Sequence, residues 1–440
     1  MFKNQSASYS SPIYIVDGLR TPFLKARGPG PFSASDLAMA AGRELLSRQP
    51  FDPSDLDEVI LGSVMPSAEE ANIARLVALR LGCGNAVTAW TVQRNCASGM
   101  QALDSACLDI STGRADLVLA GGTEAMSRAP LLVNEKMIAW MTAFKSSKSF
   151  AARFKLITQL RPYYFVPVIA LLRGLSDPLF GVNMGQTAEN LAYRFGITRE
   201  QMDEFSAMSH QRCANAEDQG FFTKEMMALY DSKGHCYLND QGLRRDSTSE
   251  KLAKLPPFFD KKFGMVTAGN SSQISDGAAL LILASEMAVK RYQLPVLGCI
   301  VDAHWAGLAP QEMGLGPVHA IVPLLQRHGL AIEDIDYWEI NEAFAAQVLA
   351  CLKAFEDPEY CSTQFGGLSG AFGTIDPARL NVDGGAIAIG HPVGASGARL
   401  VLHLLQTLHR QNAKRGVASL CIGGGQGGAM LIERLTEIPS

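Results

Sequence analysis

A chain of 440 residues with 47% apolar and 19% charged side chains has room for two or three domains with sizeable cores. A net charge of −4, from 39 basic and 43 acidic residues, supplies no overall basic field and argues against a nucleic-acid partner. Nine scattered cysteines, none in a Cys-x-x-Cys pair, argue against a disulfide framework or a structural zinc and for a reducing compartment. Residues 1–11 are polar and serine-rich, with neither an apolar signal core nor the arginines of a transit peptide, and no apolar run reaches the length of a membrane span. Cytoplasm is the expected location.

In chain order, Pro12-Ile-Tyr-Ile-Val-Asp17 reads as a strand. Ser35 is placed to cap a helix running to Ser47, with Leu37, Ala41 and Leu45 on one face. Asp55-Leu-Asp-Glu-Val-Ile-Leu-Gly62 ends in a second strand, and residues 72–81 are helical. Residues 89–93 form a strand that runs into Cys96, after which Met100, Leu103 and Leu108 begin a helical pattern. Arg114-Ala-Asp-Leu-Val-Leu-Ala-Gly-Gly122 is a further strand. The alternation predicts a mainly parallel sheet covered by helices.

The same order returns later. Ile300-Val-Asp302 echoes Ile15-Val-Asp17, and Asp334-Ile-Asp-Tyr-Trp-Glu-Ile-Asn341 echoes residues 55–62. Ala395-Ser-Gly397 opens an apolar helix as Ala97-Ser-Gly99 does, and Ser419-Leu-Cys-Ile-Gly-Gly424 echoes residues 117–122. Four echoes in one order indicate a duplicated unit. Two α/β halves about a pseudo-dyad bring equivalent strand ends together, where ligands bind in such sheets, and gather Cys96, Asn341, His391 and Cys421. Between the halves, residues 131–263 lack the alternation. Their first part, residues 135–177, is basic and carries the apolar helical stripe Phe150, Phe154, Ile157 and Leu160. Residues 353–376, rich in Gly, Ser and Phe, read as a loop.

Cys96 sits at the start of a helix among small residues. A helix N-terminus favours thiolate, so it reads as an activated nucleophile; the alternative is a small buried core cysteine. Asn341, at a strand end, serves either as an oxyanion donor or as a helix cap. His391, between Gly390 and Pro392 in a glycine-rich stretch, is suited to act as a general base, or is a surface turn residue. Cys421 ends a strand before Gly423-Gly-Gly-Gln-Gly-Gly428, where a thiol could carry protons and the N–H groups form an oxyanion hole. The same glycines match a dinucleotide fingerprint, but the stretch after Gly428 is too short for the rest of a βαβ unit.

Together these residues resemble the thiolases, the acetyl-CoA acetyltransferase and 3-ketoacyl-CoA thiolase family, over nearly the whole chain. The motifs are Asn-Cys-Ala-Ser-Gly at 95–99, Gly-Gly-Thr-Glu-Ala-Met-Ser at 121–127, Asn-Glu-Ala-Phe at 341–344, Gly-His-Pro at 390–392 and Cys-Ile-Gly-Gly-Gly at 421–425. The resemblance implies a duplicated α/β fold, two mixed-sheet halves about a pseudo-dyad. Residues 1–130 and 264–290 form the first half, 131–263 an inserted loop domain and 291–440 the second half. It implies that Cys96 carries the acyl group, that His391 activates it and that Cys421 moves the α-proton. Asn341, through a water, would join His391 in one oxyanion hole, and the N–H groups of Cys96 and Gly423 would form another. Ser272, Ala268, Met184 and Phe344 would contact coenzyme A, and Arg244 its adenine end. Coenzyme A and acyl-CoA are then substrates, with no resident cofactor or metal. The resemblance also implies a homodimer or homotetramer, and either thiolytic cleavage or Claisen condensation. The long insertion is similar to that of thiolase subunits of β-oxidation complexes, although those often carry His at the place of Asn341. Residues 135–177 are accordingly expected to meet a complex partner or a membrane surface, or else to cover the acyl pocket. A decarboxylating ketoacyl synthase, which favours two histidines, and a non-catalytic acyl-CoA-binding or assembly subunit are the alternatives.

Overall fold

A computed structural model of the protein describes residues 9–435, so most of the polar 1–11 stretch lies outside the described residues. The first half contains β1 (Ile13–Arg20), β2 (Leu24–Lys25), α1 (Ala34–Ser47), β3 (Glu58–Gly62), α2 (Ile73–Arg80), β4 (Thr88–Val92), α3 (Ser98–Ser111) and β5 (Leu117–Ala125). The excursion contributes α4 (Glu135–Ser146), α5 (Phe150–Thr158), α6 (Met184–Arg194) and α7 (Arg199–Asp218). After it come β6 (Ser275–Ala284), β7 (Gly298–Gly307), α8 (Gly316–Arg327), β8 (Tyr337–Ile340), α9 (Ala345–Glu356) and α10 (Pro358–Gln364). α11 (Ser396–Arg410), β9 (Arg415–Ile422) and β10 (Gln426–Arg434) complete the fold.

The strands form one sheet in the order β8-β9-β10-β7-β1-β6-β5-β3-β4, with β2 paired to β6. Every residue of β5 and β6 is buried, as expected for strands covered on both faces. The halves join where β1 pairs antiparallel with β7, and there Tyr14 faces Cys299, its own counterpart in the repeat. Both strands carry the same irregularity, between Ile15 and Asp17 and between Ile300 and Asp302. Each aspartate accepts the next residue's N–H at 2.8 Å, Gly18 onto Asp17 and Ala303 onto Asp302. A duplicated bulge with a duplicated hydrogen bond is structural evidence for the repeat.

Three sequence expectations are corrected. The sheet is mixed: only β3–β4, β3–β5 and β8–β9 are parallel. β9 and β10 are joined by a three-glycine hairpin, with Gly424 and Gly425 at φ 91° and 80°, which forces them antiparallel. That hairpin also removes the dinucleotide reading, because a strand rather than a helix comes after the glycines. The cap of α1 is Ser33, not Ser35. Only Ser33 has an acidic residue three positions on, and Asp36 returns its hydrogen bond at 3.0 Å. Much of 353–376 is helical. Fully buried Phe355 extends α9, and Asp357 caps α10 with Pro358 at its first position.

α3 and α11, the equivalent helices of the two halves, cross beside the sheet around Met100, Leu103, Val401 and Leu404. A Cβ on Gly99 would stand 2.7 Å from the Gly394 carbonyl oxygen, and one on Gly397 2.5 Å from the Met100 nitrogen. The Gly99→Ala substitution therefore has an unusual expected sign. Glycine to alanine inside a helix ordinarily stabilises, but here overpacking dominates and costs about 1–3 kcal/mol. A melting temperature below that of the parent checks this, and an unchanged or raised one refutes the close crossing.

Candidate active site

Beyond β4 the chain makes a tight turn. Asn95 adopts φ 43°, and Ser98 Oγ closes the turn by accepting the Arg94 N–H at 2.9 Å and donating to the Asn95 carbonyl at 2.7 Å. Cys96 is presented from this turn, just ahead of α3. The Asn95 amide donates to the Gly423 carbonyl at 2.8 Å, tying the turn to the β9–β10 hairpin. The backbone N–H groups of Gly423 and of Cys96 itself both turn to the Cys96 sulfur. They do not prevail: burial, helped by Glu124, raises the thiol above the usual cysteine range. This corrects the expected thiolate, since α3 begins two residues further on and desolvation outweighs its field.

His391 occupies the loop of the second half that leads into α11. Gly390 has φ 106°, and a Cβ there would meet Ser275 Oγ at 2.1 Å, so only glycine fits. His391 Nδ1 lies 2.6 Å from Ser396 Oγ, which donates to the Pro392 carbonyl at 2.9 Å. That pattern assigns the ring proton to Nδ1 and leaves Nε2 with its lone pair. Asn341 Nδ2 stands 3.4 Å from Nε2. Burial, then the Arg399 charge, push His391 down to about 3, so it is a neutral base at physiological pH. Cys421, 1% exposed at the end of β9, is held well above the usual thiol range by burial and by the neighbouring Cys96. It is therefore a protonated thiol able to donate.

Glu342 ties together the frame around these groups. Glu342 accepts from Ser209 Oγ at 2.6 Å, from Asn381 Nδ2 at 3.0 Å and from the Ile387 N–H at 3.2 Å, lashing the 381–391 loop to the end of β8. A cavity of about 650 Å³ opens from His391, lined by Met184, Arg244, Ala268, Ser272 and Phe344. All five residues expected to bind coenzyme A thus share one cavity with His391. Lys25 and Arg27 also line it. Burial and then the charges of Arg244 and Arg27 lower the Lys25 pKa, so unneutralised positive charge faces the opening. Sequence reasoning missed Lys25, Arg27, Ser396, Arg399 and Glu342. Ser396 had a visible signal, standing in the Ala-Ser-Gly echo of Ser98. Among the described residues, no group of three His, Cys, Asp or Glu side chains is placed to hold a metal ion.

A duplicated α/β fold that sets one thiol from its first half against a histidine and a second thiol from the other half defines an acyl-transferring enzyme of the thiolase type. The chain belongs to the thiolase family: residues 13–287 match the family model of the thiolase N-terminal domain and residues 294–434 that of the C-terminal domain. It is 39% identical over 426 residues to the mitochondrial 3-ketoacyl-CoA thiolase of Mus musculus, covering 96% of this chain and 98% of that protein. Identity to a 3-ketoacyl-CoA thiolase of Yersinia pestis (strain Pestoides F) is 36%, covering 96% of each. Among solved structures, human mitochondrial 3-ketoacyl-CoA thiolase in complex with CoA superposes with a TM-score of 0.84 at 36% identity, over 98% of this chain and 100% of that one. The Bacillus anthracis acetyl-CoA acetyltransferase does so with a TM-score of 0.84 at 35% identity and the same coverages.

A half-buried Cys96 whose thiol is raised by desolvation makes a prediction for the free enzyme. Alkylation of Cys96 by iodoacetamide, tracked by peptide mass spectrometry, should accelerate with pH through a midpoint above the ordinary cysteine value. A rate flat from about pH 6 to 9 would instead reveal a preformed thiolate beside imidazolium.

Proposed function

We propose that the protein cleaves 3-ketoacyl-CoA with coenzyme A, through an acyl group carried on Cys96. The observation that carries this reading is a coenzyme-sized cavity lined by the neutral His391, together with two thiols, Cys96 and Cys421, that neighbour each other where the Cys96 turn meets the β9–β10 hairpin. His391 Nε2 takes the Cys96 proton, and the sulfur attacks the 3-keto carbon. The N–H groups of Cys96 and Gly423 hold the oxygen that becomes negative. The bond between C2 and C3 then breaks, and the enolate oxygen of the departing acetyl-CoA rests on protonated His391 and on Asn341 with a water. Cys421 supplies the proton to C2. A second coenzyme A gives its thiol proton to the Cys421 thiolate and attacks the acyl thioester. Cys96 leaves as thiolate and recovers its proton from His391. Lys25, Arg27 and Arg244 suit the coenzyme phosphates.

A place in fatty-acid β-oxidation agrees with that chemistry, and nine free cysteines suit a reducing compartment such as the cytoplasm. We read the enzyme as a homo-oligomer on family grounds. The insertion adds an outward surface. Phe150 is 85% exposed, and Phe154, Ile157, Ile138 and Met141 are more than half or about half exposed. Among the described residues, no carboxylate pairs with Lys145, Lys148, Arg153 or Lys155. Leu172 and Leu175 line the cavity instead. The segment thus divides into a cavity wall near Leu172 and an outward basic, apolar face on α4 and α5, which we assign to an anionic membrane surface. Among the described residues, no helix is long and apolar enough to cross a membrane.

Two measurements test these readings. Cleavage of acetoacetyl-CoA and of a long-chain 3-ketoacyl-CoA should both depend on coenzyme A, with no turnover of either overturning the activity. In Cys421→Ala, α-proton exchange on acetyl-CoA should fall by about two to four orders of magnitude while some acyl transfer to Cys96 persists.

For the surface, co-sedimentation should require anionic vesicles, weaken as salt rises, and vanish when Lys145, Lys148, Arg153 and Lys155 are neutralised. Equal, negligible binding to anionic and neutral vesicles leaves a protein partner as the occupant.

A further inference from the structure

Arg399 lies in the first turns of α11 and is 2% exposed. Its guanidinium forks: Nη1 donates to Glu339 Oε2 at 2.9 Å, and Nη2 reaches Asn341 Oδ1 at 3.4 Å. Glu339 and Asn341 stand two positions apart, within and just past β8, so the pleat turns both toward α11. Beyond its charge on His391, no step described above uses this arginine, and burying a guanidinium is costly unless it is paired.

An amide has two ends of the same shape and opposite hydrogen-bonding character. In Asn341 the oxygen lies on Arg399 and the NH2 group stands 3.4 Å from His391 Nε2. Reversing the amide would set NH2 against a guanidinium that only donates. It would also aim a carbonyl oxygen at the place where negative charge develops, repelling it. Shape alone does not choose between the two orientations, whereas a donor on the far side does.

We propose that Arg399 is a positioning residue for the reaction: it fixes the Asn341 amide with its NH2 group toward His391 Nε2 and the enolate oxygen, without touching substrate. This rests on the oxyanion role given to Asn341 above. A second effect accompanies it. The groups bonded to His391 are neutral, namely Ser396 of α11, Asn341 after β8 and the Gln273 carbonyl on its backbone N–H at 3.0 Å. Arg399 supplies the charge that acts on the ring; it also draws down Glu339 and Glu342, although burial outweighs it and raises both, Glu339 to about 7. Removing a cation raises the pKa of a neighbouring imidazole, so the base is lost to protonation at higher pH.

The test is a double-variant cycle read by kcat, KM and the pH profile of cleavage. Asn341→Ala should lower kcat by about 10²–10³, the scale for losing one oxyanion donor. Arg399→Met should lower kcat at least about tenfold, with KM for coenzyme A within about twofold, and move the acid limb of kcat/KM to higher pH. In the Asn341→Ala background, Arg399→Met should cost no more than about a further twofold, because the amide it orients is gone. Losses that multiply in the double variant, or wild-type kcat in Arg399→Met, overturn the proposal. Wild-type kcat in Asn341→Ala is a different result and removes the oxyanion assignment beneath it. If Arg399→Met does not fold, Arg399→Lys carries the same cycle. It keeps the charge and loses the fork, so kcat should fall while the acid limb stays in place, and unchanged kcat counts against positioning.

Discussion

Everything at the reaction centre depends on how closely two buried helices approach each other. α3 and α11 cross with glycine against backbone, and the carbonyl of Gly394 occupies space that a Cβ on Gly99 or Gly122 would claim. Dispersion contacts fall off steeply with distance, so this crossing fixes position to a fraction of an ångström. The turn carrying Cys96 enters α3, and the loop carrying His391 enters α11. Locking the helix starts together locks Cys96 and His391 together. The Asn95 bond to the Gly423 carbonyl then attaches the third element, the β9–β10 hairpin, to the same point.

Buried charge holds the larger pieces in place. Arg20 of β1 donates to Glu225 at 2.8 Å and to Asp240 at 2.9 and 3.0 Å, both in the excursion. Glu225 also bonds His403 of α11 at 2.8 Å, and His403 lies 3.3 Å from Asp383. Burial disfavours the His403 cation, but Glu225 and Asp383 overcome it and lift the group to about 10. Burial likewise opposes the Glu225 anion, but His403 and Arg20 bring it down to about 2. The pair is therefore charged throughout the neutral range. Apolar residues of equal volume would pack as stably, but they would not specify which element meets which. Here one ionic chain joins both halves and the insertion.

How much of this was legible in the sequence depends on the kind of constraint each residue obeys. Cys96, His391, Asn341 and Cys421 were visible because glycines, prolines and small residues surround them, and such composition is costly unless backbone must approach closely. The five cavity residues were legible only through the family resemblance, since Ala268 or Met184 carries no chemistry of its own. Strand direction was not legible, because β6 returns after an excursion of more than a hundred residues and local pattern says nothing of its partner. The Cys96 thiol was misjudged for a related reason: desolvation is a tertiary property, whereas a helix start is a local one. Arg399 escaped notice because a lone arginine in an amphipathic helix resembles any solvated one until Glu339 and Asn341 are placed opposite it.

The duplication also explains why the two halves hold different chemistry. In the repeat, Asn341 corresponds to Gly62, Cys421 to Leu119, His391 to Gln93 and Arg399 to Gln101. A Cβ on Gly62 would stand 2.3 Å from the Ser98 carbonyl carbon, so no side chain fits where the second half places its amide. The first half thereby forgoes an amide at that position and gains the tight packing that seats the Cys96 turn. Conversely, Gly394 stands where the first half carries Cys96, and its carbonyl fills the helix crossing. At these two positions, Gly62 against Asn341 and Gly394 against Cys96, one half carries glycine where the other carries a functional side chain. A symmetric pair of active halves would need a side chain at Gly62 and at Gly394; the first would displace the start of α3 and the second would strike the Thr123 carbonyl and Glu124 of β5. One composite site across the dyad is the arrangement that the crossing permits.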